Sequence, residues 1–178
     1  MKLSDMDSKD FKGDQPETID EPAEYDIMDV LEKEGITVDM LVESAMEMYV
    51  PHPGLETQEK AESIFKRELK IAVSDPNLSL LIYSGILLER EGKVGNLPGV
   101  SKDSFDKDLT FIVADEVIGM SIAKYISGDK GMFEFVRLDK SKPGILAKMG
   151  PFMDDVLAGL IGGVSANMYT RAIAELNM

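Results

Sequence analysis

Apolar residues recur at three- and four-residue intervals along most of the chain, and turn residues cut the pattern into segments of helix length. Ile27, Met28, Val30 and Leu31 open the series, and Gly35 closes it as a C-terminal cap. Thr37 caps a second helix carrying Met40, Leu41, Ala45 and Met48. Pro51 and Pro53 then break the pattern, because proline fixes φ and removes a backbone donor. Thr57 starts a third helix through Ala61, Ile64, Phe65, Leu69 and Ala72. Asp75 followed by Pro76 is a helix start, an N-cap with proline at the first helical position. Behind it, Leu78, Leu81, Ile82, Ile86, Leu87 and Leu88 cover most of the helix circumference, which predicts a central element ending at Gly92.

Residues 92–99 read as a linker leading to a polar stretch, and a further helix is expected from about 109 to 127, closed by Gly128. Residues 132–138 fit helix or strand equally, since a brief apolar run carries no decisive period. Pro143 and Gly144 end that segment. The last helix, 151 to about 176, is rich in Gly, Ala and Ser, small residues that let helix backbones approach closely. Seven helices and no period-two strand predict an all-α, compact single-domain bundle over residues 23–178. Residues 1–22 lack periodicity and read as a disordered acidic tail.

Composition narrows the function. The chain of 178 residues suffices for one core, and its 44% hydrophobic and 29% charged residues are ordinary globular usage. A net charge of -14 repels phosphodiester backbones and anionic lipid, so nucleic acid is not expected as a partner. The absence of Cys excludes disulfides, thiolate nucleophiles and Cys-based metal sites. Residues 1–22 hold no apolar leader, and the longest apolar run, 78–88, is about half the ~20 residues a bilayer-spanning helix needs. A cytoplasmic protein without a membrane span is expected. The oligomeric state stays open, self-association included.

Three stretches place acids inside otherwise apolar helical sequence: Asp115 and Glu116 between Phe111 and Met120, Asp139 after Phe135 and Leu138, and Asp154 and Asp155 between Phe152 and Val156. Neighbours on a helix lie about 100° apart, so at least one acid of each adjacent pair points coreward. A buried unpaired carboxylate costs several kcal/mol and needs a compensating cation. Arg137, Lys140 and Lys142 supply some, yet five acids outnumber three bases, which leaves room for a hard divalent ion such as Mg²⁺. All five are candidate catalytic acids, with Glu116, Asp139 and Asp155 taken as ligands although the pattern does not separate ligand from general base, while Arg137, Lys140 and Lys142 would hold phosphate. Chance remains the plain alternative, because 33 acidic residues produce adjacent pairs on a solvated face without any ion.

Elimination sharpens the reaction class for a phosphatase. No Cys exists for a phosphocysteine, the only histidine, His52, lies between two prolines, and the glycine-rich nucleotide loops and zinc-binding His-Glu-x-x-His are absent. Carboxylate, metal and water are left. His52 reads as a turn or packing residue, Glu89 as a surface residue near a helix end in preference to a further ligand, and the Met-rich helices as core filler.

In order and spacing, Asp115-Glu116-x-x-Gly119, Arg137-x-Asp139-x-x-Lys142-Pro143 and Asp154-Asp155-x-x-x-Gly159 together resemble the phosphatidylglycerophosphatase A family. With the segments 31–37 and 50–54, the chain is similar to that family's soluble branch, the archaeal α-ribazole phosphatases. The resemblance runs from about residue 25 to the C-terminus. It implies an all-α fold, Mg²⁺ dependence, and hydrolysis of a small-molecule phosphomonoester, α-ribazole 5′-phosphate, in cobalamin nucleotide-loop assembly. Two other readings stay open: a phosphatidylglycerophosphate phosphatase, and a non-catalytic helical interaction module whose acids hold a structural cation.

Overall fold

The structure, a computed structural model, describes residues 26–108 and 112–177. The expected acidic tail therefore lies outside the described residues, as do 109–111 of the expected fifth helix. Among the described residues there are eight α-helices and no strand. In chain order they are α1 (Ile27–Lys33), α2 (Val38–Glu47), α3 (Gln58–Val73), α4 (Pro76–Val94), α5 (Lys102–Asp106), α6 (Ala114–Ser127), α7 (Asp129–Ser141) and α8 (Pro151–Leu176), with a 3₁₀ turn at Leu146–Lys148.

The predicted caps form as the side-chain chemistry requires. Thr37 accepts the Met40 N–H at 3.3 Å, Thr57 the Lys60 N–H at 3.3 Å, and Asp75 the Asn77 N–H at 2.8 Å. Asp26 and Ser101 cap α1 and α5 in the same way.

Three expectations change and one open choice is decided. The central element is α8, buried without interruption from residue 152 to 166, whereas α4 leaves Leu80 66% and Val94 64% exposed. Its rich apolar run misled because only one side of α4 meets the core. Gly92 does not end α4. It is buried within the helix beneath Phe105, where a Cβ would come within 2.3 Å of the ring, and Gly95 at φ 79° forms the cap instead. The described part of α6 begins at Ala114, after Asp108 has taken a left-handed φ of 47°. The segment 132–138 is helical, as part of α7, with Phe135 and Leu138 against the core and Phe133 and Val136 exposed.

The helices that matter for chemistry cross at glycines. A Cβ on Gly159 would lie 2.2 Å from the Gly119 carbonyl oxygen, and one on Gly119 would lie 2.5 Å from that of Asp155. Only two glycines let α6 and α8 pack backbone against backbone here. Further along, Gly163 meets Ile126, so the two helices run parallel and bring their N-terminal ends to the same side. α7 runs the other way, placing Phe135 at Gly162 and Lys142 at Asp154.

Candidate functional site

Asp115 and Asp155 each stand four residues before their glycine, on the same helical face. The Gly119–Gly159 contact therefore draws the first turns of α6 and α8 together and carries the acids with it. Asp115, Asp154 and Asp155 are 4%, 6% and 4% exposed. Two helix N-termini contribute positive partial charge to the same region, which favours anionic groups there. Among the described residues neither helix is capped by its own side chain at the N-cap, where Val113 and Gly150 sit.

Lys142 closes the site from α7. Its Nζ donates to Asp154 Oδ2, and the side chain is 40% exposed; an ammonium has three donors, which leaves some for a further acceptor. Lys142 itself adopts φ 42°, and the turn behind it is pinned to α2. Ser44 Oγ accepts the Ile145 N–H at 3.0 Å, and Glu47 accepts the Gly144 N–H at 3.2 Å.

Electrostatics follow from burial. Loss of water pushes the Asp155 carboxyl up to about 8, and the charges of Asp154, Asp139, Asp115 and Glu116 push the same way. Burial lifts Asp154 to about 6 against the pull of Lys142. Asp115 is also raised, chiefly by burial, although the Glu116 N–H donates to its Oδ1 at 2.8 Å. Burial lowers the Lys142 ammonium, but its hydrogen bond to Asp154 and the charges of Asp154, Asp108 and Asp139 outweigh it and hold it above its ordinary value.

The predicted residues thus divide. Asp115, Asp154, Asp155 and Lys142 come together, with half-buried Asp139 and exposed Glu116 close enough to act on Asp155. Lys140 is exposed. Arg137 stands apart: it lies about 200° from Asp139 around α7. It donates to Glu134 at 2.7 Å and to the Met48 carbonyl at 3.3 Å, bracing the end of α2. His52 is a packing residue, its ring edge-on to Tyr169 at 6.2 Å between centroids.

Two acids escaped the sequence reading. Asp108 acts on Asp115, Asp154 and Lys142 from the turn before α6, and its polar surroundings gave no signal. Glu89, expected on the surface, is 2% exposed and accepts the Phe152 N–H at 3.2 Å. The overlooked clue was the Gly150-Pro151 start of α8, which offers no capping side chain of its own.

Chemically, three buried carboxylates against one partly buried ammonium leave a negative excess that suits a cation. Among the described residues no three carboxylates or histidines stand ready to ligate one ion, so Glu116, Asp139 and Asp155 do not form a closed cage. A hard ion held by one or two carboxylates and otherwise by water and substrate oxygen fits such a site, which is the habit of Mg²⁺.

The sequence model of phosphatidylglycerophosphatase A matches residues 41–170, a span containing every residue of this site. The chain belongs to the phosphatidylglycerophosphatase A family. Membership gives the reaction class, hydrolysis of phosphate esters. The chain is 33% identical over 132 residues to the uncharacterized protein MJ1330 of Methanocaldococcus jannaschii, covering 72% of this chain and 99% of that one. The low temperature requirement C protein of Listeria monocytogenes shares the fold at TM-score 0.69 and 22% identity, over 82% of this chain and 93% of that one. Protein ypjQ of Bacillus subtilis does so at TM-score 0.67 and 21% identity, over 84% and 94%. Proteins of known structure thus share this helical frame at low identity.

Proposed function

We propose that the chain is a Mg²⁺-dependent small-molecule phosphomonoesterase that hydrolyses α-ribazole 5′-phosphate to α-ribazole and phosphate in cobalamin nucleotide-loop assembly. The observation that carries this reading is the buried cluster of Asp115, Asp154 and Asp155 at the joined ends of α6 and α8, with Lys142 on Asp154. When bound, a divalent ion would offset charge on the phosphoryl oxygens and make water a better nucleophile. Asp155, with one of the nearby Asp139 and Glu116, would hold it. Lys142, with donors to spare beyond Asp154, would bind a phosphoryl oxygen as a point charge. Asp154, oriented by that ammonium, would accept the proton of the attacking water. The residues leave Arg137 to brace α2, and Lys142 is the cation assigned to phosphate.

A soluble substrate is favoured over phosphatidylglycerophosphate by the net charge of -14, which opposes approach to anionic lipid. No single helix among the described residues is long and apolar enough to cross a membrane, and α3 with α4, which pass together by composition, are bent by 90°. The test is phosphate release with Mg²⁺ and with chelator from α-ribazole 5′-phosphate, and from phosphatidylglycerophosphate in vesicles. Release from the first, abolished by chelator, is the expected result. Turnover of the lipid alone would assign the other substrate. Silence toward both would favour a non-catalytic module.

A further inference from the structure

Glu89 lies outside all three acidic motifs, yet its surroundings are specific. Oε2 accepts the Phe152 N–H at 3.2 Å, a bond across 63 residues of chain. Oε1 stands 3.0 Å from the Nζ of Lys93, a side chain 61% exposed, and receives no well-directed hydrogen bond. Phe152 is the second residue of α8, two positions before Asp154. Gly150, the N-cap of α8, makes the room: a Cβ there would lie 1.9 Å from Glu89 Oε1.

Helices α1 to α5 are capped by their own neighbouring side chains. On α8 any such side chain would collide with the carboxylate from α4. A local cap orders a helix end but does not say where that end lies. A cap delivered from α4 fixes the first turn of α8 relative to a second helix. It does so by burying a charge whose ammonium partner among the described residues, Lys93, is largely solvated, so order alone does not account for it.

Resting on the phosphatase reading, we propose that Glu89 is a positioning residue for that reaction: its carboxylate clamps the first turn of α8 and thereby sets Asp154 and Asp155 against Asp115 and Lys142. Gly150 is its counterpart, conferring the space the clamp needs. Glu89 touches neither substrate nor ion.

The test uses the full chain as wild type, E89A, E89Q, G150A and the E89A/G150A double variant, read by hydrogen exchange over residues 150–156 and by phosphate release from α-ribazole 5′-phosphate in Mg²⁺ below every melting point. E89A should speed exchange in the first turn of α8 and lower kcat by about 10- to 100-fold with KM within about threefold. E89Q, whose amide oxygen accepts the same N–H, should retain protection and keep kcat within about threefold. G150A should reproduce E89A by pushing the carboxylate out. In the E89A background it should change kcat less than about twofold, because the clash is gone. Should E89A not fold, the contrast of E89Q with G150A carries the test. Unchanged exchange and kcat in G150A, or loss in E89Q equal to that in E89A, would overturn the clamp. A wild-type protein silent toward every phosphomonoester would overturn the phosphatase reading and the catalytic part of this proposal. The exchange data would then still decide the clamp itself.

Discussion

Exchanging Asp155 for Asn removes the ionisable carboxyl from the most strongly perturbed position of the site while keeping its shape. With its folded value near 8 and an unfolded value near 3.9, the Asp155 carboxyl takes up a proton on folding at neutral pH. Because the folded value is raised, the stability linked to this group is fully present below the unfolded value and is lost as pH rises towards 8. Each pH interval is worth about 1.4 kcal/mol, so by pH 7 the metal-free protein has given up roughly 4 kcal/mol here. The amide cannot ionise and escapes that loss, but its NH₂ must find acceptors, and a buried group left unmatched costs about 1–3 kcal/mol. The balance is a gain of about 1–3 kcal/mol for Asp155→Asn in chelator at pH 7, or a rise of about 2–4 °C in Tm per kcal/mol for a chain of this size. Between pH 5 and 8 the wild type should lose Tm faster than the variant.

Magnesium should close most or all of that gap. An ion that binds only the folded wild-type site at about 100 times its Kd adds about 2.7 kcal/mol, whereas the variant lacks a ligand and should respond far less. The assay is thermal melting of both proteins from pH 5 to 8, in chelator and in excess Mg²⁺, with phosphate release alongside. Activity of Asp155→Asn should be largely lost. If the variant melts well below wild type in chelator, or gains as much from Mg²⁺, Asp155 is a structural acid and the argument fails.

Lys142→Ala removes both the partner of Asp154 and the phosphate donor. It should lower kcat/KM by about 100-fold or more in steady-state kinetics, and activity within threefold of wild type would exclude Lys142 from the site. Arg137→Ala should leave kcat/KM within about threefold but lower stability by about 1 kcal/mol in denaturant melts, since it loses the bonds to Glu134 and Met48; a large kinetic loss would return Arg137 to the phosphate. Gly159→Ala, whose Cβ would meet the Gly119 carbonyl at 2.2 Å, should destabilise by about 3 kcal/mol and abolish activity with the helical circular dichroism retained at low temperature; a melting curve like wild type would show that the α6–α8 contact is loose.

Local chemistry made much of the fold legible. Thr37, Thr57 and Asp75 cap helices as their side chains require, because the donor they satisfy lies two or three residues away in sequence. Errors fell where the deciding contact is distant. Gly92 looks like a stop until Phe105 lies over it, and α4 looks central until α8 takes the middle of the bundle. The site follows the same rule. Buried Asp115, Asp154 and Asp155 were readable because apolar neighbours on one helix force them inward. Glu89 was not, since its partner is the end of another helix, and neither was the bond from Arg137 to the end of α2, because two residues from Asp139 in sequence is the far side of the helix.

The glycines also explain why the acids sit at helix beginnings. A cluster of buried carboxylates repels itself, and the positive ends of two parallel helices are among the few neutral-chain features that oppose this. Parallel helices rarely converge so closely at their ends unless small residues let the backbones meet, and Gly119 and Gly159 meet one turn inside the acids. Placing each glycine four residues after its acid puts packing and charge on one face, so the contact that joins α6 and α8 also sets the separation of Asp115 and Asp155. A substitution at either glycine would therefore alter the electrostatics of the site without touching a charged group. That is why Gly159→Ala should remove activity at temperatures where the protein is still folded.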